Sequence, residues 1–340
     1  MTAPRTTEPA RVELGRRPDP ALGTGPDRGW SRRHVLDLDD FTLDEIELVL
    51  DTADAMKEVL ARDVPRAPAL RGTTIVTLFY EASTRTRASF ELAGKVLGAD
   101  VINLTASGSS IEKGESLIDT ARTLRAIGAQ VLVMRHPLSG APYLAAAHCD
   151  ARVINAGDGW HAHPTQGLLD LYTLRRRLGG LAGKRVVIVG DIAHSRVARS
   201  GIWGLTKMGA EVVVCGPPTL LPAGLGAPHA ADALPPVTVE TDLDKAVCGA
   251  DAVMALRLQQ ERMAGGLLPS LREYSRLYQV NEDRMRRAKP GAPVLHPGPM
   301  NEGIEISAAV AHGSRSLVEE QVQNGVAVRM ALLYLMRGGK

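Results

Sequence analysis

Short apolar runs, separated by longer segments with helical spacing, organise the first half of the chain. Four of these runs are rich in β-branched residues and predict strands at residues 73–80, 101–104, 130–134 and 152–156. Apolar residues at helical spacing between them predict helices at about 84–97, 115–127 and 141–148. Strands that alternate with helices in this way are typical of a parallel sheet with helices on both faces.

The same alternation starts again in the second half. Its apolar runs lie at residues 185–191, 211–216, 237–240, 252–256 and 293–297. Two such series predict an α/β protein with two doubly wound parallel-sheet domains, joined by interdomain helices. One of these helices should begin at Pro164, because proline is favoured at the first helical position. We expect the domains to span residues 30–165 and 166–316, with a C-terminal helix at about 317–337 that packs back on the first domain.

The N-terminus has a different composition from the rest of the chain. Residues 1–29 are rich in Pro, Gly, Thr and Arg and contain no apolar core. This composition predicts a disordered extension and argues against a secretory signal. Folded sequence should begin soon afterwards, because Thr42 and Glu45 match a capping box at the start of a helical pattern.

Composition narrows the classes of protein that fit this pattern. With 340 residues, of which 44% are hydrophobic and 23% charged, the chain suits two globular domains. Its net charge of +2 predicts no broad surface for nucleic acid, and no apolar run approaches the roughly 20 residues that span a membrane. Three separated cysteines show no metal or redox spacing, which favours free thiols in a reducing cytoplasm.

Candidate chemistry lies where the predicted strands end. Ligands of open α/β sheets bind beyond the carboxyl ends of the strands. The segments at these positions are rich in hydrogen-bond donors, and arginines follow four different strands, at positions 85, 135, 196 and 257. This pattern predicts a site for one or two substrates that carry several negative charges.

Arg85 and Arg87 occupy an unusual position, in the first turn of a predicted helix. The helix dipole disfavours a cation there by a few tenths to about 1 kcal/mol. Ser83 or Thr84 can cap this helix, but no Glu or Gln of a capping box follows, so backbone N–H groups stay open to an outside phosphate. The motif STRTR alone fits a capped surface helix equally well. Neither GxxxxGK[ST] nor GxGxxG occurs, which argues against a nucleoside triphosphate or a dinucleotide.

Six motifs in a fixed order give the pattern a more specific interpretation. They are "FYEASTRTRASFE", "MRHP", "NAGDGWHAHPTQGLLDLYT", "VGDIAHSRVARS", "LRLQQER" and "HPGPMNEGIEI". Together they resemble the catalytic chains of the aspartate carbamoyltransferase family, over about residues 30–337. The resemblance implies a carbamoyl-phosphate domain (30–165), an aspartate domain (166–316) and an active site between them.

The resemblance also implies roles for individual residues. The implied carbamoyl-phosphate-binding residues are Ser83, Thr84, Arg85, Thr86, Ser109, Lys113, Arg135, His163, Gln166, Gly298 and Pro299. The implied aspartate-binding residues are Lys113, Arg196, Arg257 and Gln259. The implied catalytic residues are Arg85, Thr86, Lys113, Arg135 and His163. Ser109 and Lys113 resemble a loop that the neighbouring subunit inserts into the site, although Ser107 and Ser110 are close enough to take the place of Ser109.

The reaction that the resemblance implies suits these residue types. The amine of aspartate attacks the carbonyl carbon of carbamoyl phosphate, and Arg135 and His163 would donate to the oxygen that becomes negative. Gln166 would accept a hydrogen bond from the carbamoyl amide. Arg85, Lys113 and the helix N-terminus would neutralise the phosphate that leaves. This chemistry requires no metal or cofactor, and we expect none.

Other polar residues near these motifs have simpler interpretations. His161 and His163 form an HxH pair, but the flanking residues offer no third ligand at metal spacing. Asp191, at a strand end, should fix Arg196 or a loop. His296 should orient the turn that follows it.

Two alternatives stay open on sequence alone. An ornithine carbamoyltransferase shares the phosphate cradle, but it should carry an HCLP turn where this chain has HPGP, and Arg257 suits a carboxylate. The other alternative is a non-catalytic scaffold that binds phosphate-like anions. The resemblance further implies de novo pyrimidine biosynthesis and a cytoplasmic homotrimer with shared active sites. It leaves open whether regulatory chains or a dihydroorotase join that trimer.

Overall fold

Two parallel β-sheets form the framework of the molecule, which is described here from a computed structural model. The described residues are 29–105, 114–225, 234–259 and 266–338. Within them, the first sheet has the strand order β2-β1-β3-β4. Its strands are β1 (Thr74–Phe79), β2 (Asp100–Thr105), β3 (Val131–His136) and β4 (Arg152–Asp158).

The second sheet repeats this architecture with the order β7-β6-β5-β8-β9. Its strands are β5 (Arg185–Val189), β6 (Glu211–Cys215), β7 (Thr238–Glu240), β8 (Ala252–Ala255) and β9 (Val294–Leu295). All pairings between named strands in both sheets are parallel. The prediction of an α/β fold with two parallel sheets is confirmed.

Helices cover both sheets. In the first half they are α1 (Leu43–Leu60), α2 (Thr84–Val96), α3 (Leu117–Ala126), α4 (Ala141–His148) and α5 (Pro164–Leu178). In the second half they are α6 (Arg196–Lys207), α7 (Leu243–Ala246), α8 (Leu271–Tyr278), α9 (Glu282–Met285), α10 (Ala308–Ala311) and α11 (Val318–Gly338). None of the helices in the described residues is both long enough and apolar enough to cross a membrane.

The strand sequences explain why these sheets lie in the interior. Val186, Val187 and Ile188 of β5 are fully buried although they point to alternate faces, because helices cover both sides of a parallel sheet. The apolar core is continuous between the two halves: one cluster joins Ile75 of the first sheet and Ile188 of the second. Helix α11 packs against α1, α2 and α5.

Most predicted elements lie within two residues of their predicted ends. The capping box of Thr42 and Glu45 is present at the start of α1, and Pro164 is the first residue of α5. The run at 293–297 gives only the short strand Val294–Leu295, because the flanking prolines have no N–H to contribute to a sheet. The residue boundaries of the two domains stay a prediction, as does the disorder of residues 1–29, most of which lie outside the described residues.

The strand orders fix where ligands can bind. The chain reverses its winding direction between β1 and β3 in the first sheet, and between β5 and β8 in the second. Crevices at such switch points, beyond the carboxyl ends of the strands, are the usual ligand sites of open α/β sheets. Of the four arginines singled out from the sequence, Arg85, Arg196 and Arg257 follow β1, β5 and β8, and Arg135 is the penultimate residue of β3.

Candidate active site

A single cleft of about 540 Å³ lies beyond the carboxyl ends of both sheets. The sequence-predicted residues that line it are Ser83, Thr84, Arg85, Thr86, Arg135, His163, Gln166, Arg196, Arg257, Gln259, Gly298 and Pro299. The structure therefore brings together every predicted site residue that it describes. Ser109 and Lys113 lie outside the described residues.

The N-terminus of α2 forms one end of the cleft. Ser83 is the N-cap residue in extended conformation, and its side chain makes no capping hydrogen bond. The first backbone N–H groups of a helix have no partner within the helix. With no side-chain cap at Ser83, they are available to an anion, as the absence of a capping-box acid predicts.

The turn at Gly298 approaches this helix end closely. Gly298 has φ +64°, and a Cβ atom built on it would lie 3.0 Å from Arg85 Cζ. Its N–H donates to His296 Nδ1 at 2.9 Å. Because Nδ1 accepts this bond, the proton of a neutral ring resides on Nε2, which lies 3.3 Å from Glu305 Oε1. His296 thus orients the turn, as predicted.

Arg135 and His163 face the middle of the cleft. Arg135 lies near the end of β3, and His163 is the N-cap residue of α5, where its backbone N–H donates to Ser200 Oγ at 2.9 Å. Burial lowers the pKa of the His163 imidazole well below its usual value, and the nearby arginines Arg135, Arg196 and Arg329 lower it further. The ring is therefore neutral at pH 7. Its Nδ1 atom is buried and has no hydrogen-bond partner among the described residues.

Glu81 pairs with two of the arginines that line the cleft, Arg135 and Arg196, a role that the sequence did not predict. Its Oε2 lies 3.0 Å from Arg135 Nε and 2.5 Å from Arg196 Nη2. The backbone of Gly157 passes beneath both guanidinium groups, and a Cβ atom there would lie 2.9 Å from Arg196 Cζ. The sequence did contain a signal for this role, because Glu81 is an acidic residue two positions before STRTR in a segment otherwise rich in hydrogen-bond donors.

The opposite wall of the cleft comes from the second sheet. Arg196 is the first residue of α6 and is 4% exposed. Arg257 and Gln259 follow β8 and line the same space. Of the two partners expected for Asp191, Arg196 or a loop, the structure shows the loop: Asp191 Oδ1 accepts from the backbone N–H of His194 at 3.2 Å and lies 2.8 Å from its Nδ1. Asp191 holds the loop, and Glu81 pairs with Arg196.

The HxH pair is divided between two environments. His161 lies between Asp158 and Asp37, with Nδ1 3.2 Å from Asp158 Oδ2 and Nε2 3.3 Å from Asp37 Oδ2. The hydrogen bond with Asp158 raises the pKa of the His161 imidazole. His163 faces the cleft instead. In the part of the chain that the structure describes, no group of three or more His, Cys, Asp or Glu residues could hold a metal ion.

The cleft's chemistry is that of an anion site with fixed donors. Its lining combines an open helix end with Arg85, a neutral imidazole with Arg135, and the two further arginines Arg196 and Arg257. Such a set can hold a phosphate and carboxylates together and place hydrogen-bond donors on an oxygen between them.

Comparison with known proteins identifies this combination of fold and site. Residues 33–176 match the carbamoyl-phosphate-binding domain of the aspartate/ornithine carbamoyltransferase family, and residues 182–336 match its aspartate/ornithine-binding domain. The chain therefore belongs to the aspartate/ornithine carbamoyltransferase family.

Individual relatives cover almost the whole described chain. The aspartate carbamoyltransferase catalytic subunit of Roseiflexus sp. (strain RS-1) is 61% identical over 309 residues, which cover 90% of this chain and 96% of the relative. Among solved structures, ornithine carbamoyltransferase from Pyrococcus furiosus is 29% identical, with a TM-score of 0.79 over 92% of this chain and 99% of its own. Aspartate transcarbamoylase from Trypanosoma cruzi, in complex with carbamoyl phosphate and aspartate, is 29% identical, with a TM-score of 0.79 over 90% and 97%.

Proposed function

We propose that this protein transfers the carbamoyl group of carbamoyl phosphate to the amine of L-aspartate, and releases N-carbamoyl-L-aspartate and phosphate. The observation that carries the proposal is the convergence of four arginines, from the two switch points, on a single cleft. Relatives at about 60% identity that are named aspartate carbamoyltransferase catalytic subunit favour aspartate over ornithine as the acceptor.

The phosphate group binds at the N-terminus of α2. Its charge meets the open N–H groups behind Ser83 and the guanidinium group of Arg85, which the Gly298 turn approaches closely. A dianion there offsets the unfavourable interaction between Arg85 and the helix dipole. The arginine in the first turn thereby becomes favourable once substrate is bound.

The carbamoyl carbonyl oxygen then lies between Arg135 and His163. Because His163 is neutral, it donates one hydrogen bond without adding a charge, while Arg135 supplies the positive charge. Donors fixed in advance around an oxygen that becomes negative commonly lower a barrier by about 3 kcal/mol each. Because His163 is buried and the Arg135 side chain is largely shielded from solvent, little water has to reorient as the charge forms.

Aspartate binds with its carboxylates towards Arg196 and Arg257. The lone pair of its neutral amine forms the new N–C bond, the bond between the carbamoyl carbon and the bridging oxygen breaks, and the electron pair leaves with phosphate. The departing phosphate takes the proton that the amine loses. Orientation of the two bound anions in one cleft supplies much of the remaining acceleration.

The resemblance motivates three further parts of the proposal. The enzyme acts in de novo pyrimidine biosynthesis in the cytoplasm, and it forms a homotrimer whose neighbouring subunit contributes Ser109 and Lys113. Mixing of two inactive variants, Arg85→Ala and Lys113→Ala, tests the shared site. Hybrid trimers should regain part of the activity after subunit exchange, whereas no recovery would contradict a shared site.

An assay for ureido products tests the reaction itself, with carbamoyl phosphate and aspartate, ornithine or no added acceptor. We expect a product that depends on aspartate, and Arg85→Ala serves as the inactive control. Product with ornithine alone would identify the ornithine-dependent activity instead. Absence of product with both acceptors, while carbamoyl phosphate still binds, would indicate the non-catalytic scaffold.

A further inference from the structure

A buried carboxylate behind the cleft connects two of its walls. Asp170 lies on α5 and is 2% exposed. Its Oδ1 atom accepts two hydrogen bonds, from Gln166 Nε2 at 3.0 Å and from Gln321 Nε2 at 2.7 Å. Its Oδ2 atom is buried and has no hydrogen-bond partner among the described residues. Neither Asp170 nor Gln321 has a place in the chemistry described above.

An amide side chain has two different ends, and Asp170 determines which end each glutamine presents. A carboxylate oxygen without a proton can only accept, so both glutamines must turn their nitrogen towards it. The Oε1 atom of Gln166 is then the end left for the cleft. The Oε1 atom of Gln321 accepts from the backbone N–H of His296 at 3.0 Å, directly before the turn at Gly298.

Protonation of Asp170 does not undo this arrangement. Burial raises the pKa of its carboxyl to about 7, against the hydrogen bonds from Gln321 and Gln166 that lower it. Since Oδ1 already receives two N–H groups, a proton takes the vacant position on Oδ2. Oδ1 remains an acceptor in both forms, so the amides keep their orientation on either side of neutral pH.

The orientation of Gln166 matters for the ligand. A substrate that places an NH₂ group against Gln166 finds an acceptor, whereas a substrate with an oxygen there would face another oxygen. If the Gln166 amide flipped, its Nε2 would face the NH₂ group of the substrate, so that two donors would oppose each other. An unmet buried donor commonly costs about 1–3 kcal/mol. Selection of a ligand NH₂ group over an oxygen beside Gln166 therefore depends on Asp170, which fixes the orientation of the Gln166 amide.

We propose that Asp170 is a positioning residue that sets the selectivity of the cleft for a carbamoyl amide over a carboxylate. It does so by fixing the amide of Gln166 with its oxygen towards the ligand, and it ties this wall to the Gly298 turn through Gln321. The inference rests on the proposed function, in which Gln166 faces the carbamoyl amide.

Two analogues of carbamoyl phosphate provide the probe. Phosphonoacetamide carries an NH₂ group where phosphonoacetate carries an oxygen, and calorimetry gives the dissociation constant of each without any need for turnover. The wild-type protein should bind phosphonoacetamide more tightly. Asp170→Asn should keep this preference within about threefold, because an amide oxygen can accept from both glutamines and its nitrogen takes the place of Oδ2.

Asp170→Leu removes the acceptor at nearly constant volume. The ratio of the two dissociation constants should then shift by about tenfold or more towards phosphonoacetate, since the amide of Gln166 is free to turn. If Asp170→Leu does not fold, Asp170→Ala gives the same shift without placing a new apolar group there. Asn324→Leu is the matched control: it removes a buried α5–α11 hydrogen bond, from Asn324 Nδ2 to Thr173 Oγ1 at 3.0 Å, without touching Gln166. It should lower stability but leave the ratio unchanged.

The outcomes separate this inference from the proposed function. A wild-type protein without preference for phosphonoacetamide would contradict this inference, whereas the ureido assay tests the proposed function independently. A wild-type preference that survives in Asp170→Leu and Asp170→Ala would overturn the positioning role alone. Loss of the preference in Asp170→Asn would also overturn it, because charge rather than amide orientation would then set the selectivity.

Discussion

Two strand–turn–helix units, β1–α2 and β5–α6, reach the cleft from the interiors of the two sheets and share one local pattern. Each has a serine at the N-cap position of its helix and an arginine in the first helical turn. Ser195 Oγ accepts from the backbone N–H of Ala198 at 3.1 Å, so the second helix is capped by its own side chain. Ser83 makes no such bond.

The charges of the two arginines are balanced in different ways. Arg196 is buried and pairs with Glu81, which comes from the first unit. Arg85 is exposed at an uncapped helix end, where the dipole is unfavourable to it. The charge of Arg196 is thus balanced before substrate binds, whereas the charge of Arg85 is balanced by the anion that binds at the helix end. The same local pattern of serine and arginine therefore gives a balanced charge in β5–α6 and an anion-binding site in β1–α2.

The largest expected effect comes from removal of Arg85, which lies at the open N-terminus of α2. Arg85→Ala should lower kcat/KM by about 10³-fold, because the transition state loses a charged donor at the phosphate. Its melting temperature should stay close to the wild-type value, since the side chain is exposed. Steady-state kinetics and thermal unfolding measure both effects. Arg87→Ala, two residues along the same helix and outside the cleft lining, is the control and should stay within a few-fold. Near-normal activity of Arg85→Ala would contradict the contrast between the units.

Removal of an arginine contributed by the second sheet should affect the binding of aspartate more than that of carbamoyl phosphate. Arg257→Ala should raise the KM for aspartate by about 10- to 100-fold, the value of a lost charge-assisted hydrogen bond, and leave carbamoyl phosphate binding almost unchanged. Arg272→Ala on the exposed face of α8 is the matched control. An equal loss of affinity for both substrates would show that the two ends of the cleft are not independent.

The buried imidazole of His163 should make the stability of the protein depend on pH. The folded pKa of its imidazole is lowered, whereas the unfolded chain binds a proton below about pH 6.5. Between pH 7 and pH 5 this difference should destabilise the wild-type protein by at most about 2 kcal/mol relative to His163→Asn, which cannot bind that proton. Urea unfolding at the two pH values measures the effect. Parallel losses in both proteins would mean that the ring is protonated in the folded state.

The smallest effects should come from the two N-cap serines, and they should differ in kind. Ser195→Ala should lower the free energy of unfolding by about 1 kcal/mol, because it removes a helix cap. Ser83→Ala should leave stability nearly unchanged and weaken phosphate binding by about three- to tenfold, the value of a lost neutral hydrogen bond. Urea unfolding and calorimetry with inorganic phosphate distinguish them. A loss of stability in Ser83→Ala equal to that in Ser195→Ala would show that α2 is capped after all.

The sequence predicted those parts of the site that follow from strand ends. Arg85, Arg135, Arg196 and Arg257 were identified because the carboxyl ends of parallel strands meet at one edge, whatever the packing between the sheets. The uncapped start of α2 was also predictable, from the missing capping-box acid. Both inferences depend on local patterns alone.

The residues that were missed depend on contacts between distant elements. Gln321 reaches Asp170 only because α11 packs on α5. In the sequence, neither residue differs from an ordinary polar residue of a helix. Glu81 stood out as an acidic residue in a quoted motif, but its partner Arg196 lies 115 residues away, so the pairing itself could not be predicted locally. For Asp191 the sequence left two partners open, Arg196 or a loop, and only the structure shows that it binds His194 of the loop.

Gly157 shows how a residue that touches no ligand can be as intolerant of replacement as one that does. Its bare backbone supports the two guanidinium groups of Arg135 and Arg196, and its φ of +112° is itself unfavourable for any side chain. Even alanine would force the arginines away from Glu81 by displacing Arg196. A survey of all substitutions along the chain should therefore record this glycine among the most restricted positions, and the cause would be shape rather than chemistry.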